Sequence, residues 1–223
     1  MPTYPVSDAE IRVDQHDLRV LLGRVFEACG MSPLDAALLA DSLVAADLGG
    51  VHSHGVLRVP EYVRKLRGGV NPAGAPRLIQ DKGAALIVDG DNAMGQVVSA
   101  FAMHRAMDRA RELGVAFAAV RGSNHCGAMA YYVRACAKEG LIGVAATNAL
   151  PTMAPWGGLD KILGINPLGV GIPAGEEEPI VFDAAFSGSS HGKIRVYQQK
   201  GAAIPPNWAF DASGKPTTDA AEA

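Results

Sequence analysis

The chain has 223 residues, 48% of them hydrophobic and 19% charged, and a net charge of −3. That length holds one large domain or two small ones with a sizeable core. The charge gives no reason to expect nucleic acid or an anionic membrane as partner, and no segment offers the ~20 apolar residues of a membrane span. Three cysteines, Cys29, Cys126 and Cys136, have no metal-ligand spacing and are odd in number. They point to a reduced, cytoplasmic setting. The low charged fraction points to some surface covered by a partner subunit.

The N-terminal "MPTYPVSDAEIRVDQ" is acidic and lacks the pattern of a signal peptide. Residues 14–67 read as helical. "DLRVLLGRVFEACG" places Leu18, Leu21, Leu22, Val25 and Phe26 on one face, with Gly30 as a stop. In "MSPLDAALLADSLVAAD", Ser32 is the N-cap and Pro33 the first helical residue. Leu34, Leu38, Leu39, Ser42 and Leu43 then form a stripe. After a His-Ser-His turn, "VLRVPEYVRKLRGG" resumes the helical pattern, with Pro60 confined to a first turn or a kink.

The Gly/Pro-rich "GGVNPAGAP" marks an internal boundary, giving a helical domain over 1–72 and an α/β domain over 73–223. In the second part "AALIVDG" reads as a strand, "AMGQVVSAFAMHRAMDRARELG" as a long helix and "VAFAAVRG" as a strand. "GAMAYYVRACAKEG" is a helix, and "LIGVAATN", "GVGIPAG" and "PIVFDA" are strands. This alternation predicts a sheet with helices packed on it. The tail "FDASGKPTTDAAEA" is polar and reads as a loop.

"GVGIPAG" contains G-x-G, but alanine stands where the third glycine belongs, and "EEEPIVFD" follows in place of a helix. A Rossmann fingerprint needs a helix N-terminus facing the pyrophosphate, so this stretch predicts a hairpin turn. His52 and His54 fit a metal-binding pair, a proton donor, or capping and packing. Two imidazoles at i and i+2 share a metal on a strand but diverge between helices. His125 in "RGSNHCGAMAYY" stands after a strand and before a helix, where ligands gather and anions are favoured. Alternatively Ser123 or Asn124 caps that helix and His125 is incidental. Asp183 ends an apolar strand and can hold an imidazole or a ribose hydroxyl, or cap a turn. His16 and His104 read as surface residues, and Trp156 as a packing residue.

Taken in order and spacing, "GVHSHGVLRVPEYVRKLRGG", "DGDNAMGQVV", "GSNHCGAMAYYVRACAKEGLIGVAATN", "APWGGLDKILGINPLGVGIPA" and "PIVFDAA" resemble the malate/L-lactate dehydrogenase family whose fold is not Rossmann. Ureidoglycolate dehydrogenase, sulfolactate dehydrogenase, diketogulonate reductase and piperideine-carboxylate reductase belong to it. The resemblance runs from about Val13 to Asp219. It implies a helical N-terminal layer beside a non-Rossmann α/β cofactor domain with a mixed sheet. It also implies an NAD- or NADP-dependent oxidoreductase of small 2-hydroxy or 2-oxo acids, working as a homodimer. Residue by residue, His54 matches the family's proton donor, and Ser53 and Arg58 match substrate contacts. His125 matches a second active-site histidine, a base in some members. Asn148 and the strand Ile180, Val181, Phe182, Asp183, Ala184 and Ala185 match cofactor-binding segments. No metal is implied.

These roles suit the chemistry. The substrate oxygen gains or loses a proton as hydride moves, and histidine titrates near neutrality. A forked guanidinium binds a carboxylate bidentately. If the helix starts directly after His54, Arg58 shares its face. "DAAFSGSSHGK" departs from the family's commoner Asp-Met-Ala-Thr-Ser run, keeping a hydroxyl at Ser187. Family members also continue past Ala223 with a glycine- and lysine-rich cofactor segment, so the expectation is a chain shortened at its C-terminus. Two other functions compete with this one. A shortened, non-catalytic remnant that dimerises would show no turnover. A metal-dependent hydrolase using His52, His54 and His125 would carry stoichiometric metal.

Overall fold

The computed structural model describes residues 11–223. The first ten residues of the stretch read as lacking a signal-peptide pattern lie outside that range. The N-terminal part is helical, as its periodicity predicts. Helix α1 (Gln15–Glu27) is capped by the Asp14 carboxylate, and α2 (Pro33–Leu48) by Ser32 Oγ, which accepts the Asp35 N–H. Gly30 ends the first helix region with φ +95°, a left-handed conformation that glycine adopts without a Cβ penalty. Leu22, Phe26, Leu39 and Leu43 form the core of this layer with Tyr62 and Leu66 of α3 (Val59–Arg67). Two members of the predicted stripes fall outside it: Leu21 and Leu34 are exposed. Helical periodicity marks a face wider than the one a neighbouring helix covers.

Between α2 and α3 the chain makes two 3-10 turns, His52–His54 and Val56–Arg58, joined at Gly55. The second part then alternates. Strands β1 (Arg77–Lys82) and β2 (Ala85–Asp89) form an antiparallel pair, and α4 (Gly95–Leu113) crosses to β3 (Phe117–Arg121), which lies parallel to β2. Helix α5 (Met129–Lys138) leads to β4 (Gly143–Ala146). The short β5 (Pro151–Met153) and β6 (Leu163–Gly164) pair with each other, and β7 (Leu168–Ile172) turns back into β8 (Ile180–Ala184). Helix α6 (His191–Gln199) follows, and the rest is irregular, as its polarity predicts.

The fold is therefore mixed α/β with a helical N-terminal layer. The strands divide into a mixed sheet ordered β1-β2-β3 and an antiparallel sheet ordered β4-β7-β8, where sequence alternation alone predicts a single sheet. Strands β4, β7 and β8 pair only antiparallel, with β7 returning into β8 through a turn that has Gly175 at φ +67°, and none of them joins β1, β2 or β3. The core is continuous across the Gly/Pro-rich break, because Met94 and Val97 of the α4 region pack into the helical layer.

Candidate active site

The segment His52–Arg58 is shaped by Asp47, near the end of α2. Its carboxylate accepts the Val56 N–H at 2.8 Å and lies 2.8 Å from His52 Nδ1. A Cβ at residue 55 would stand inside that carboxylate. Gly55 thus makes room for Asp47. Two positions apart in the 3-10 turn, with about three residues per turn, the two histidines point in different directions. His52 turns to Asp47 at the rim, while His54 turns inward, its Nδ1 3.0 Å from Ser53 Oγ. Among the described residues, no group of three or more His, Cys, Asp and Glu side chains is gathered as a metal would need.

His54 meets His125. Their rings are stacked 5.7 Å apart at 21°, so residues 71 positions apart form one site. The loop carrying His125 is held by Asn124, whose Nδ2 donates to the Asn92 and Ala93 carbonyls at 3.1 and 2.9 Å. Gly95, the first residue of α4, lets the helix press against the Asn124 and His125 carbonyls, where a Cβ would clash. Asn124 therefore does not cap α5. The cap comes from β8: Asp183 Oδ2 accepts the Ala130 N–H at 2.8 Å.

Two buried residues that the sequence reading passes over complete the site. Tyr62 Oη lies 2.8 Å from His125 Nδ1, and Gln96 Nε2 donates to the same oxygen at 3.0 Å. Both side chains are fully buried. The available signal is Gln96 itself, a lone amide inside the apolar run "AMGQVV".

Arg58 does not share a helical face with His54, since the backbone breaks at Gly55. Its Nε donates to the Ser53 carbonyl at 2.7 Å and one terminal nitrogen, Nη1, to Glu61 at 2.8 Å. Its other terminal nitrogen, Nη2, stands 2.8 Å from where a Cβ at Gly192 would be. Gly192 brings α6 over the site. Sequence reading leaves α6 unassigned. A cleft of about 160 Å³ opens there, lined by Ser53, Arg58, Glu61, Arg64, Gly192 and Arg195 among others.

The electrostatics follow from burial. It drives His54 down to about 4, helped by the Arg58 charge, and His125 down to about 3, helped by His54 and Arg58. Both imidazoles are neutral at pH 7. Burial pushes the Glu61 carboxyl up, but hydrogen bonds from Lys65 and Arg58 outweigh it and hold the group at about 2. Burial raises Tyr62, so it keeps its proton.

The expected cofactor residues fall in the loop after β4 and on or directly after β8; β4 and β8 are the two edge strands of the β4-β7-β8 sheet. Asn148 is exposed in the loop after β4. Strand β8 is an edge of its sheet and exposes Ile180 and Phe182, with Val181, Ala184 and the following Ala185 half-buried. An edge strand offers backbone donors and acceptors, and two exposed apolar side chains offer a surface for a flat ring, so this strand fits a dinucleotide. The Asp183 carboxylate is committed to α5. Trp156, expected to pack, is fully exposed on the β5–β6 connection.

Residues 13–223 match the model of the malate/L-lactate dehydrogenase family. A malate dehydrogenase of Pyrococcus horikoshii is 39% identical over 218 residues, 97% of this chain and 60% of that protein. An L-sulfolactate dehydrogenase of Methanocaldococcus jannaschii is 38% identical, over 89% of this chain and 58% of its own length. The crystal structure of a malate dehydrogenase from Entamoeba histolytica superposes with a TM-score of 0.92 at 34% identity, covering 95% of this chain and 59% of that one. The chain thus spans about 60% of the length of the relatives it matches.

Proposed function

Because the chain belongs to the malate/L-lactate dehydrogenase family, we propose that it is an oxidoreductase moving hydride between NAD or NADP and a small 2-hydroxy or 2-oxo acid. The observation that carries this reading is the stacked pair of neutral imidazoles, His54 and His125, beside the Arg58 guanidinium. In it the helical domain, 1–72, supplies His54, Ser53 and Arg58. The α/β domain, 73–223, supplies His125, Asn148 and the Ile180–Ala185 segment for the cofactor. The dinucleotide, when bound, supplies the hydride donor or acceptor.

The chain's own residues bind, orient and move the proton. His54 exchanges a proton with the substrate oxygen, and Ser53 Oγ steadies its ring. Arg58 takes the substrate carboxylate. Glu61 and the Ser53 carbonyl fix the guanidinium plane, and Nη2, toward Gly192, takes no part in either bond. A panel of 2-oxo acids with NADH and NADPH, read by nicotinamide absorbance, tests this. Turnover is expected with at least one pair, and Arg58→Lys should raise KM for the acid about 10- to 100-fold. No cofactor oxidation with any acid at high protein concentration sinks the reading.

The same reading makes the protein a homodimer. Leu150, Trp156, Leu159 and Ile162 are exposed along the β5–β6 connection, an apolar set that a second subunit would cover. Sedimentation should show a dimer at micromolar concentration; an active monomer would remove this assignment. The three cysteines are all free, which supports a reduced cytoplasmic setting. No helix among the described residues is long and apolar enough to cross a membrane.

A further inference from the structure

We infer that His125 is locked as a hydrogen-bond donor with its proton on Nε2, and that Tyr62, Gln96 and Gly127 are the positioning residues that lock it. The role given to that donor rests on the proposed hydride transfer; the lock itself does not.

The lock follows from which groups can only donate. The Gly127 backbone N–H points at His125 Nδ1 from 3.3 Å. A peptide N–H has no acceptor capacity, so Nδ1 must present its lone pair. The Tyr62 hydroxyl, 2.8 Å from the same nitrogen, must then donate to it. Its own oxygen accepts from Gln96 Nε2 at 3.0 Å, which holds the hydroxyl in that direction. With Nδ1 receiving two donors, the ring proton is left on Nε2.

The opposite arrangement fails. If the Gln96 amide turned its oxygen to Tyr62, the hydroxyl would donate to Gln96. The Tyr62 oxygen and Nδ1 would then face each other with lone pairs at 2.8 Å. Only a proton on Nδ1 relieves that, and such a proton would face the Gly127 N–H. The observed orientation leaves Gln96 Oε1 buried with no partner. The fold thus leaves one acceptor unsatisfied while keeping the donor on Tyr62.

Sequence makes the arrangement possible. Gly127 is left-handed at φ +77°, and a Cβ there would come within 3.1 Å of Gln96 Nε2. A side chain at 127 would both strain the backbone and displace the amide. Gly95 brings Gln96 against the His125 loop.

The chemical consequence is a division of labour. His125 has no free lone pair at Nε2 and two donors aimed at Nδ1. It serves as a fixed donor to the substrate oxygen, in place of the base role that the resemblance implies. Proton exchange falls to His54, whose Nδ1 neighbour is a hydroxyl that can donate or accept. In oxidation His54 Nε2 would take the substrate O–H proton while Nδ1–H donates to Ser53 Oγ, and a bound dinucleotide would supply the hydride acceptor. The oxygen becomes a carbonyl that accepts from His125 Nε2–H.

Nitrogen-15 NMR of the histidine-labelled full chain distinguishes the two tautomers. His125 should show only the Nε2–H form around neutral pH. Tyr62→Phe should bring in the Nδ1–H form and lower kcat about tenfold, with KM for the cofactor unchanged. Gln96→Met removes the donor that orients the Tyr62 hydroxyl, so it should bring in a smaller share of the Nδ1–H form than Tyr62→Phe does; a spectrum identical to wild type would remove Gln96 from the lock. A wild-type Nδ1–H signal overturns the inference, and this holds even if Tyr62→Phe does not fold. A Tyr62→Phe spectrum identical to wild type removes Tyr62 from the lock. A locked His125 in a protein without turnover defeats the oxidoreductase reading alone; turnover with Nδ1–H defeats the lock alone.

Discussion

Replacing His54 with Asn is expected to lower kcat by on the order of 10²–10⁴ while leaving cofactor affinity nearly unchanged. Asn keeps much of the size and loses the titrating proton. His54 lies inward beside His125, its Nδ1 next to the Ser53 hydroxyl. His52→Asn should lower kcat far less. His52 is half-exposed and faces Asp47 at the rim, so its loss disturbs the turn and not the proton path. Steady-state kinetics of the two variants side by side decide the matter. Equal losses, accompanied by loss of a bound metal, would favour the metal-dependent alternative. A fully active His54→Asn protein would end the mechanism.

The second large effect is on stability. His54 and His125 fall from 6.5 in the unfolded chain to about 4 and about 3 in the fold, first because they are buried and then because cationic neighbours repel a further charge. Above pH 6.5 both states hold them neutral, and no proton distinguishes folded from unfolded. As pH falls below 6.5 the unfolded chain takes up protons that the folded chain refuses, so stability is lost down to the folded values. Each histidine contributes a slope of about 1.4 kcal/mol per pH unit in that window. Together they remove on the order of several kcal/mol by pH 4. Glu61, held at about 2, begins to matter only below its ordinary 4.5; above that, His191, also lowered by burial, adds to the same loss, and Asp183, raised by burial, opposes it. Denaturant midpoints measured between pH 6.5 and 4.5 should decline in the wild type and decline less steeply in a His54→Asn, His125→Gln double variant. Equal slopes in the two proteins would show that the two rings are not held neutral by burial.

The helices were readable because their ends are local. Ser32, Pro33 and Gly30 act through groups a few residues away, and the structure places them as their chemistry predicts. Strand β1 was not readable: "RLIQDK" is exposed along its whole length, so no alternation marks it. Helix α6 escaped for a different reason. Its Ile194 and Tyr197 bury against Ile204 and Ala220 of the irregular tail, a small cluster that no helical stripe announces. Exposed Trp156 defeats the usual expectation that a large ring packs inside. At the site, the histidines stood out by residue type, and Ser53 and Arg58 through the family resemblance alone. Tyr62 and Gln96 did not, because their significance is a contact between α3, α4 and the His125 loop, which only the tertiary fold creates.

The Asp183 cap ties two mechanical parts together. One end is the edge strand β8; the other is the first turn of α5, which begins four residues after His125. A carboxylate bound to a helix terminus is short and directional, so strand and helix move as one body over small displacements. Whatever settles on β8 and shifts it drags the root of the His125 loop in the same direction. The far side of that loop is anchored to α4 by Asn124 and Gly95. The loop thus runs between two anchors, α4 on one side and, through the first turn of α5, strand β8 on the other.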